Sequence, residues 1–398
     1  MSLVFGDLSV IMQSALVEGV LPDESMSKRR DTIKQMASAI VYCEGNFASL
    51  DGKTANGLIR HSEKYKVLSV IDSEKEGLDS GIVLDKKLNN IPICKDLDAA
   101  LIQAVKQTGG VPDYFIFGMA PACGVLSDHE RNLILDAMSC GMSIVNGLHE
   151  FLSDDPQFIA AMMSNNVEIL DVRKPQSVNN LKIFSGRIAT VNCPRIAILG
   201  TDCAIGKRTT ATVLTQALND HGIRAVMIST GQTGLIQGAR YGVAIDAIPS
   251  QFCIGELESA IVDAYEHEMP DVIIIEGQGA LSHPAFSSSA MILRGSCANA
   301  VILQHAPARQ YRCDFEKLPM PSPLSEIKLI EAFSEARVIG MTINHENMTD
   351  VDVSDAIFQY RQELGLPVTD ALTCSSYDLM QMVVTAFPDL QVPKKTAA

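Results

Sequence analysis

Unbroken runs of Val, Ile, Leu and other apolar residues recur along this chain, each ending in glycine or a polar turn and separated from the next by a stretch with helical spacing. In the N-terminal half these are Ala39–Cys43, Val67–Asp72, Ile91–Cys94, Asp113–Gly118 and Met142–Gly147. In the C-terminal half they are Arg195–Gly200, Ala225–Thr230, Asp271–Gly277, Asn299–Ala306, Ala336–Asn344 and the short Leu366–Asp370. A strand with one wet face alternates apolar and polar residues. These do not, so both faces are covered, as in a parallel sheet with helices on either side. The predicted fold class is α/β. Open parallel sheets bind ligands at the carboxyl ends of their strands, which directs the search for functional residues to the turns after each run.

A chain of 398 residues is longer than one hydrophobic core usually serves, which predicts two domains. Pro175, Asn179, Asn180 and Pro194 are breakers and place the boundary near residues 172–192. The predicted organisation is an N-terminal extension over 1–37, a Rossmann-like domain over 38–180 and a P-loop NTPase-like, doubly wound parallel-sheet domain over 181–390. The halves are expected to fold separately, so that a fragment beginning near Val191 is soluble. Within the first half, residues 148–167 read as helical, and residues 171–194 as a connection with strand-like pieces. The first residues read as an amphipathic leader helix, because Asp7 and Glu18 interrupt their apolar part and no basic region precedes it. The terminal PKKTAA reads as disordered.

Apolar residues make up 47% and charged residues 20%, and no run approaches the length of a membrane helix, so a membrane protein is excluded. The ten cysteines form no C-x-x-C pair and have no histidine at ligand spacing. This predicts reduced thiols in the cytoplasm, no disulfide framework and no metal. A formal charge of −15 and the absence of Trp argue against nucleic acid and anionic membranes as partners. The expected partner is a small-molecule substrate, and a homo-oligomer is expected.

The strongest motif is GTDCAIGKRTT, Gly200 to Thr210, lying between an apolar strand and a helix. Such a loop turns successive N–H groups toward an anion, the helix N-terminus adds positive potential, and a lysine neutralises phosphate oxygens. Gly200, Thr201, Asp202, Gly206, Lys207, Arg208, Thr209 and Thr210 are therefore the predicted cofactor-binding residues. Two departures stand out. Five residues separate the glycines where four are usual, and Arg208 follows the lysine where a Mg²⁺-binding Ser or Thr normally stands; Thr209 or Thr210 can substitute.

Downstream, His283 and His305 follow predicted strands and can exchange protons near neutral pH, while Arg294, Arg309 and Arg312 offer forks for a carboxylate or phosphate. Cys203 sits inside the loop, but no histidine pairs with it in the sequence, so it is not assigned as a nucleophile. In the first half, Glu44 to Gly57 is a glycine-punctuated turn without the G-x-G-x-x-G spacing of a dinucleotide fold. Asp72, at the end of the second strand, therefore reads as a turn residue.

The GTD opening with its five intervening residues resembles the P-loop of dethiobiotin synthetase. That resemblance implies that Glu276, at the end of VIIIE, is an acidic residue near metal or substrate. The succession IPICKDLDAAL, PDYFIFGMAP and ILDAMSCGMSIVNGLHEFL resembles, over about 60 residues, the CoA-binding domain of succinyl-CoA synthetase α-subunits. Taken together, YCEGNF, LDGKTANGLIRHS, VIDS, DVRKP, GTDCAIGKRTT and IIIEGQGALSHPAF resemble the DgcN family over roughly residues 38–385. The resemblance implies a Rossmann-like domain, a P-loop domain, and transfer of an acetyl group from acetyl-CoA to D-glutamate. Glu276 or His283 would then act as the catalytic base, and Arg294, His305 or Arg309 would bind substrate. The competing readings are an ATP- and Mg²⁺-dependent kinase or ligase of the dethiobiotin synthetase type, and a nucleotide-binding regulator without catalysis.

Overall fold

The computed structural model describes residues 36–121 and 123–390. The leader helix and the PKKTAA tail of the sequence reading lie outside the described residues. The first half carries β1 (Ala37–Tyr42), β2 (Tyr65–Ile71), β3 (Ile93–Cys94), β4 (Tyr114–Phe117), β5 (Ser143–Asn146) and β6 (Ile169–Asp171). They form one parallel sheet in the order β3-β2-β1-β4-β5-β6. This is the Rossmann order, with its reversal between β1 and β4. The helices between these strands are bounded by local chemistry. Asp96 caps Leu97–Thr108 by accepting from the Ala99 N–H at 2.8 Å, and Ser127 with Glu130 forms a capping box on Asp128–Ser139.

The second half carries β7 (Arg195–Gly200), β8 (Ala225–Ser229), β9 (Tyr241–Gly242), β10 (Val272–Glu276) and β11 (Ala300–His305). An antiparallel pair, β12 (Tyr311–Arg312) and β13 (Phe315–Pro319), precedes β14 (Arg337–Ile343) and β15 (Val368–Asp370). The second sheet is parallel in the order β15-β14-β11-β7-β10-β8-β9, so the strand that feeds the glycine loop is central. Val, Ile and Leu of β7, β10 and β11 are fully buried, which is why their runs do not alternate.

Three features differ from the sequence reading. The strand-like pieces expected over 171–194 are 3₁₀ turns at Val178–Asn180 and Arg187–Thr190. The helix expected over 148–167 is confined to Pro156–Asn165, which Asp155 caps and Pro156 opens. The two halves, each with its own core, also meet through more than the connection between them. Ile236, on the short helix Gln232–Gln237 after β8, is buried within the core of the first sheet. Around it, Gln237 Nε2 donates to the carbonyls of Gly57 (2.8 Å) and His61 (2.7 Å), and the Thr54 and Thr233 hydroxyls meet at 3.0 Å. Gly57 makes this approach possible, because a Cβ there would lie 2.6 Å from Arg208 Nη2 and 2.9 Å from Thr233 Cγ2. From Ala37 onward the described residues form one compact unit.

Asp72 serves its turn, as read. Buried, it accepts from the Gly45 (3.3 Å), Phe47 (3.1 Å) and Glu74 (3.1 Å) N–H groups and from Lys75 Nζ (3.0 Å).

Candidate functional site

The carboxyl ends of the two sheets face a common cleft of about 490 Å³. One wall comes from the turns after β1, β4, β5 and β6, which supply Asp51, Lys53, Pro121, His149 and Arg173. The other comes from the loop after β7 and the turns after β8 and β10, with residues 203–209, 231–233 and 276–279.

The loop is held from behind. Thr201 N–H donates to the Gln304 carbonyl at 3.1 Å, and its hydroxyl lies 2.9 Å from His305 Nδ1. Asp202 Oδ2 accepts from the Cys313 N–H (2.7 Å) and from Arg309 (3.0 Å), and Arg309 also donates to the Cys203 carbonyl at 2.9 Å. Ala204 and Gly206 then take positive φ angles, 48° and 101°, and the second favours glycine. The helix Lys207–Asp220 starts there with no side-chain cap, so its first N–H groups face the cleft without intrahelical partners. Lys207 is buried, and its Nζ bonds the Asp202 carbonyl within the loop; burial pushes its pKa down. This arrangement suits a phosphate or pyrophosphate.

Of the residues around the Mg²⁺-ligand position, two are engaged elsewhere and one faces the cleft. Arg208 reaches Gln237, and Thr210 donates to Gln304 Oε1 at 2.6 Å, whereas Thr209 lines the cleft. Glu276 ends β10 on the floor of the cleft, buried, accepting from the Thr230 N–H at 3.1 Å. Desolvation pushes its pKa up, with the nearby Arg208 charge opposing.

The other sequence-predicted residues part company here. Arg294 points outward from the helix Ser288–Ser296, its guanidinium 5.0 Å from the Phe333 ring centre, and is not among the cleft residues. Arg309 is saturated by Asp202 and by Glu346 at 2.7 and 2.9 Å, so it straps the loop and has no fork left for a substrate. His305 is buried beneath Thr201 with Tyr360 edge-on at 5.6 Å, and burial pushes its pKa down to about 4. It supports the loop from outside the cleft lining. His283 lies under the cleft against Phe286 and Phe315. Its Nδ1 accepts from the Ala285 N–H at 3.2 Å, which leaves the proton on Nε2, 3.7 Å from Asp202 Oδ1. In this tautomer Nε2 is a donor.

Asp202, Cys203 and His283 are nonetheless brought together from two loops, their potential ligand atoms all within 4.8 Å of one another. Sequence spacing could not reveal this trio. A metal on Nε2 would need the lone pair that the Ala285 contact assigns to Nδ1, so the arrangement opposes ligation. Burial raises the Cys203 thiol pKa, so proximity to His283 does not make Cys203 a thiolate.

Lys53, His149 and Arg173, on the first wall, were missed. Each follows a parallel strand, and that positional rule could have found them. Arg173 is buried, donating to Asp246 (2.8 Å) and Gln232 (2.9 Å) across the joint.

Family comparison agrees with this architecture. Residues 73–175 match the Rossmann-like domain DUF1611_N and residues 182–380 the P-loop domain of DUF1611. The chain belongs to the DUF1611 family. It is similar to a D-glutamate N-acetyltransferase of a Pseudoalteromonas species, 31% identical over 300 residues, covering 74% of this chain and 84% of the relative. A D-glutamate N-acetyltransferase of Tritonibacter scottomollicae is 28% identical over 263 residues, covering 64% and 76%. The crystal structure of a DUF1611 family protein from Anabaena variabilis superimposes with a TM-score of 0.79 at 29% identity, covering 88% of this chain and 99% of that one. Among the described residues, no helix is long and apolar enough to cross a membrane.

Proposed function

We propose that this chain is an N-acetyltransferase that moves an acetyl group from acetyl-CoA to the amine of an acidic amino acid, with D-glutamate the first acceptor to test. The observation that carries the reading is the phosphate loop opening, beside the buried carboxyl of Glu276, onto a cleft between the two halves. The names of the two bacterial relatives support the reaction class. The loop N–H groups and Lys207 would hold a phosphate group of CoA, which fixes the thioester end relative to Glu276. Attack by the amine nitrogen on the thioester carbonyl forms the amide C–N bond, the C–S bond breaks, and CoA leaves as its thiol. Glu276 takes the proton that the neutral amine loses on attack and returns it to the departing sulfur, which makes the thiol and regenerates the carboxylate. A carboxyl group whose pKa lies above its ordinary range is better matched to that task than an exposed one.

The kinase or ligase reading draws on the same Lys207 and Glu276, but Arg208 and Thr210 are committed to Gln237 and Gln304, which leaves it only Thr209 as a hydroxyl ligand for Mg²⁺. The test is turnover by the purified protein with acetyl-CoA and D-glutamate. Free CoA thiol and N-acetylglutamate should form in the presence of EDTA. Consumption of ATP with Mg²⁺ and no thiol release would replace the acetyltransferase with the kinase or ligase.

A further inference from the structure

An acceptor with two carboxylates needs cationic contacts in a protein of net charge −15, and the arginines favoured by the sequence do not supply them. Among the described residues, the cations lining the cleft are Lys53, Arg173, Lys207 and Arg208. Arg173 is paired with Asp246 and bonded to Gln232, Lys207 is directed into the phosphate loop at the Asp202 carbonyl, where the donor phosphate is proposed to bind, and Arg208 reaches away to Gln237 at the joint. Lys53 has no hydrogen-bond or ion-pair partner for its ammonium among the described residues, although 47 acidic side chains are available in the chain. It begins the helix Lys53–Arg60, which Gly57 anchors against the second half, so its Cα sits on a fixed wall of the cleft. Its charge reaches Cys203 on the phosphate loop and His149 on its own wall, acting to lower both pKa values.

We infer that Lys53 is the acceptor-binding cation of the cleft, reaching from the Rossmann-like wall to hold a carboxylate of a dicarboxylic amino acid opposite the phosphate loop. The identity of the acceptor rests on the acetyltransferase reading; the carboxylate site does not. A flexible ammonium serves a ligand that must enter and leave an open cleft, and as an exposed side chain Lys53 can be replaced at little cost to folding.

Two measurements test this. Glutarate, a dicarboxylate without an amine, should raise the melting temperature of the wild-type protein, and Lys53→Met should lose that shift while Lys53→Arg keeps it. In turnover, Lys53→Met should raise KM for D-glutamate roughly tenfold or more, with KM for acetyl-CoA unchanged. Loss of the glutarate shift in a protein that transfers no acetyl group would remove the acetyltransferase reading and leave the site standing. The inference is overturned if glutarate does not stabilise the wild type, if it stabilises Lys53→Met equally, or if only KM for acetyl-CoA rises.

Discussion

Glu276 owes its chemistry to burial at the end of an apolar strand, where desolvation outweighs the neighbouring Arg208 charge and keeps its pKa above the ordinary glutamate range. As the proposed base it must be ionised, so kcat should fall as pH drops through that raised pKa. The acid limb of a kcat–pH profile should lie above the usual value of about 4.3. Glu276→Gln should lower kcat more than it raises KM; a change confined to KM would make Glu276 a binding residue. His305 gives a second pH signature. Its folded pKa of about 4 lies below the unfolded value near 6.5, so between these values the unfolded chain binds more protons and stability falls as pH drops. The loss approaches about 3 kcal/mol below pH 4. Urea unfolding at pH 7 and pH 4.5 should show a steeper decline for wild type than for His305→Gln. Equal declines would show that His305 is not held neutral. The loop residues and Glu276 were legible in the sequence because backbone geometry and strand position define them. Arg294 and Arg309 were not, because a guanidinium reveals nothing of its partner until Phe333, Asp202 and Glu346 are in place.

The helix Gln232–Gln237 does most to join the halves, since it places Ile236 in the first core, Gln237 on the helix Lys53–Arg60 and Gln232 against Arg173. Ile236→Ala should cost about 2–5 kcal/mol, the range for a buried isoleucine truncated in a packed core, measured as a lower urea midpoint. A cost below about 0.5 kcal/mol would show that the joint contributes little. The main strands of both sheets were legible, since a run buried on both faces carries its own signature. The edge strands β6 and β9 and the pair β12–β13 were not. They have two to five residues each and mostly incomplete burial, so no apolar run marks them. The role of Ile236 was illegible for another reason: nothing local says that the short helix after β8 inserts into a distant core.

For the whole molecule, the insertion of Ile236 into the first core argues that the halves stabilise each other. A fragment beginning near Val191 exposes Ile236 and loses the partners of Gln237 and Asp246, so it should aggregate or lose its cooperative unfolding transition. A soluble fragment with a sharp transition would show that the second sheet is self-sufficient. The cleft is lined by both halves, with the phosphate loop on one side and Lys53 on the other, and the proposed roles of donor and acceptor wall follow that division. Calorimetric titration of acetyl-CoA into wild type and Lys207→Ala tests it most directly. Lys207→Ala should remain folded and bind more weakly by about 1.5–3 kcal/mol, the range for hydrogen bonds to charged groups. Equal affinity in the folded variant would contradict the assignment of the loop as the donor phosphate site.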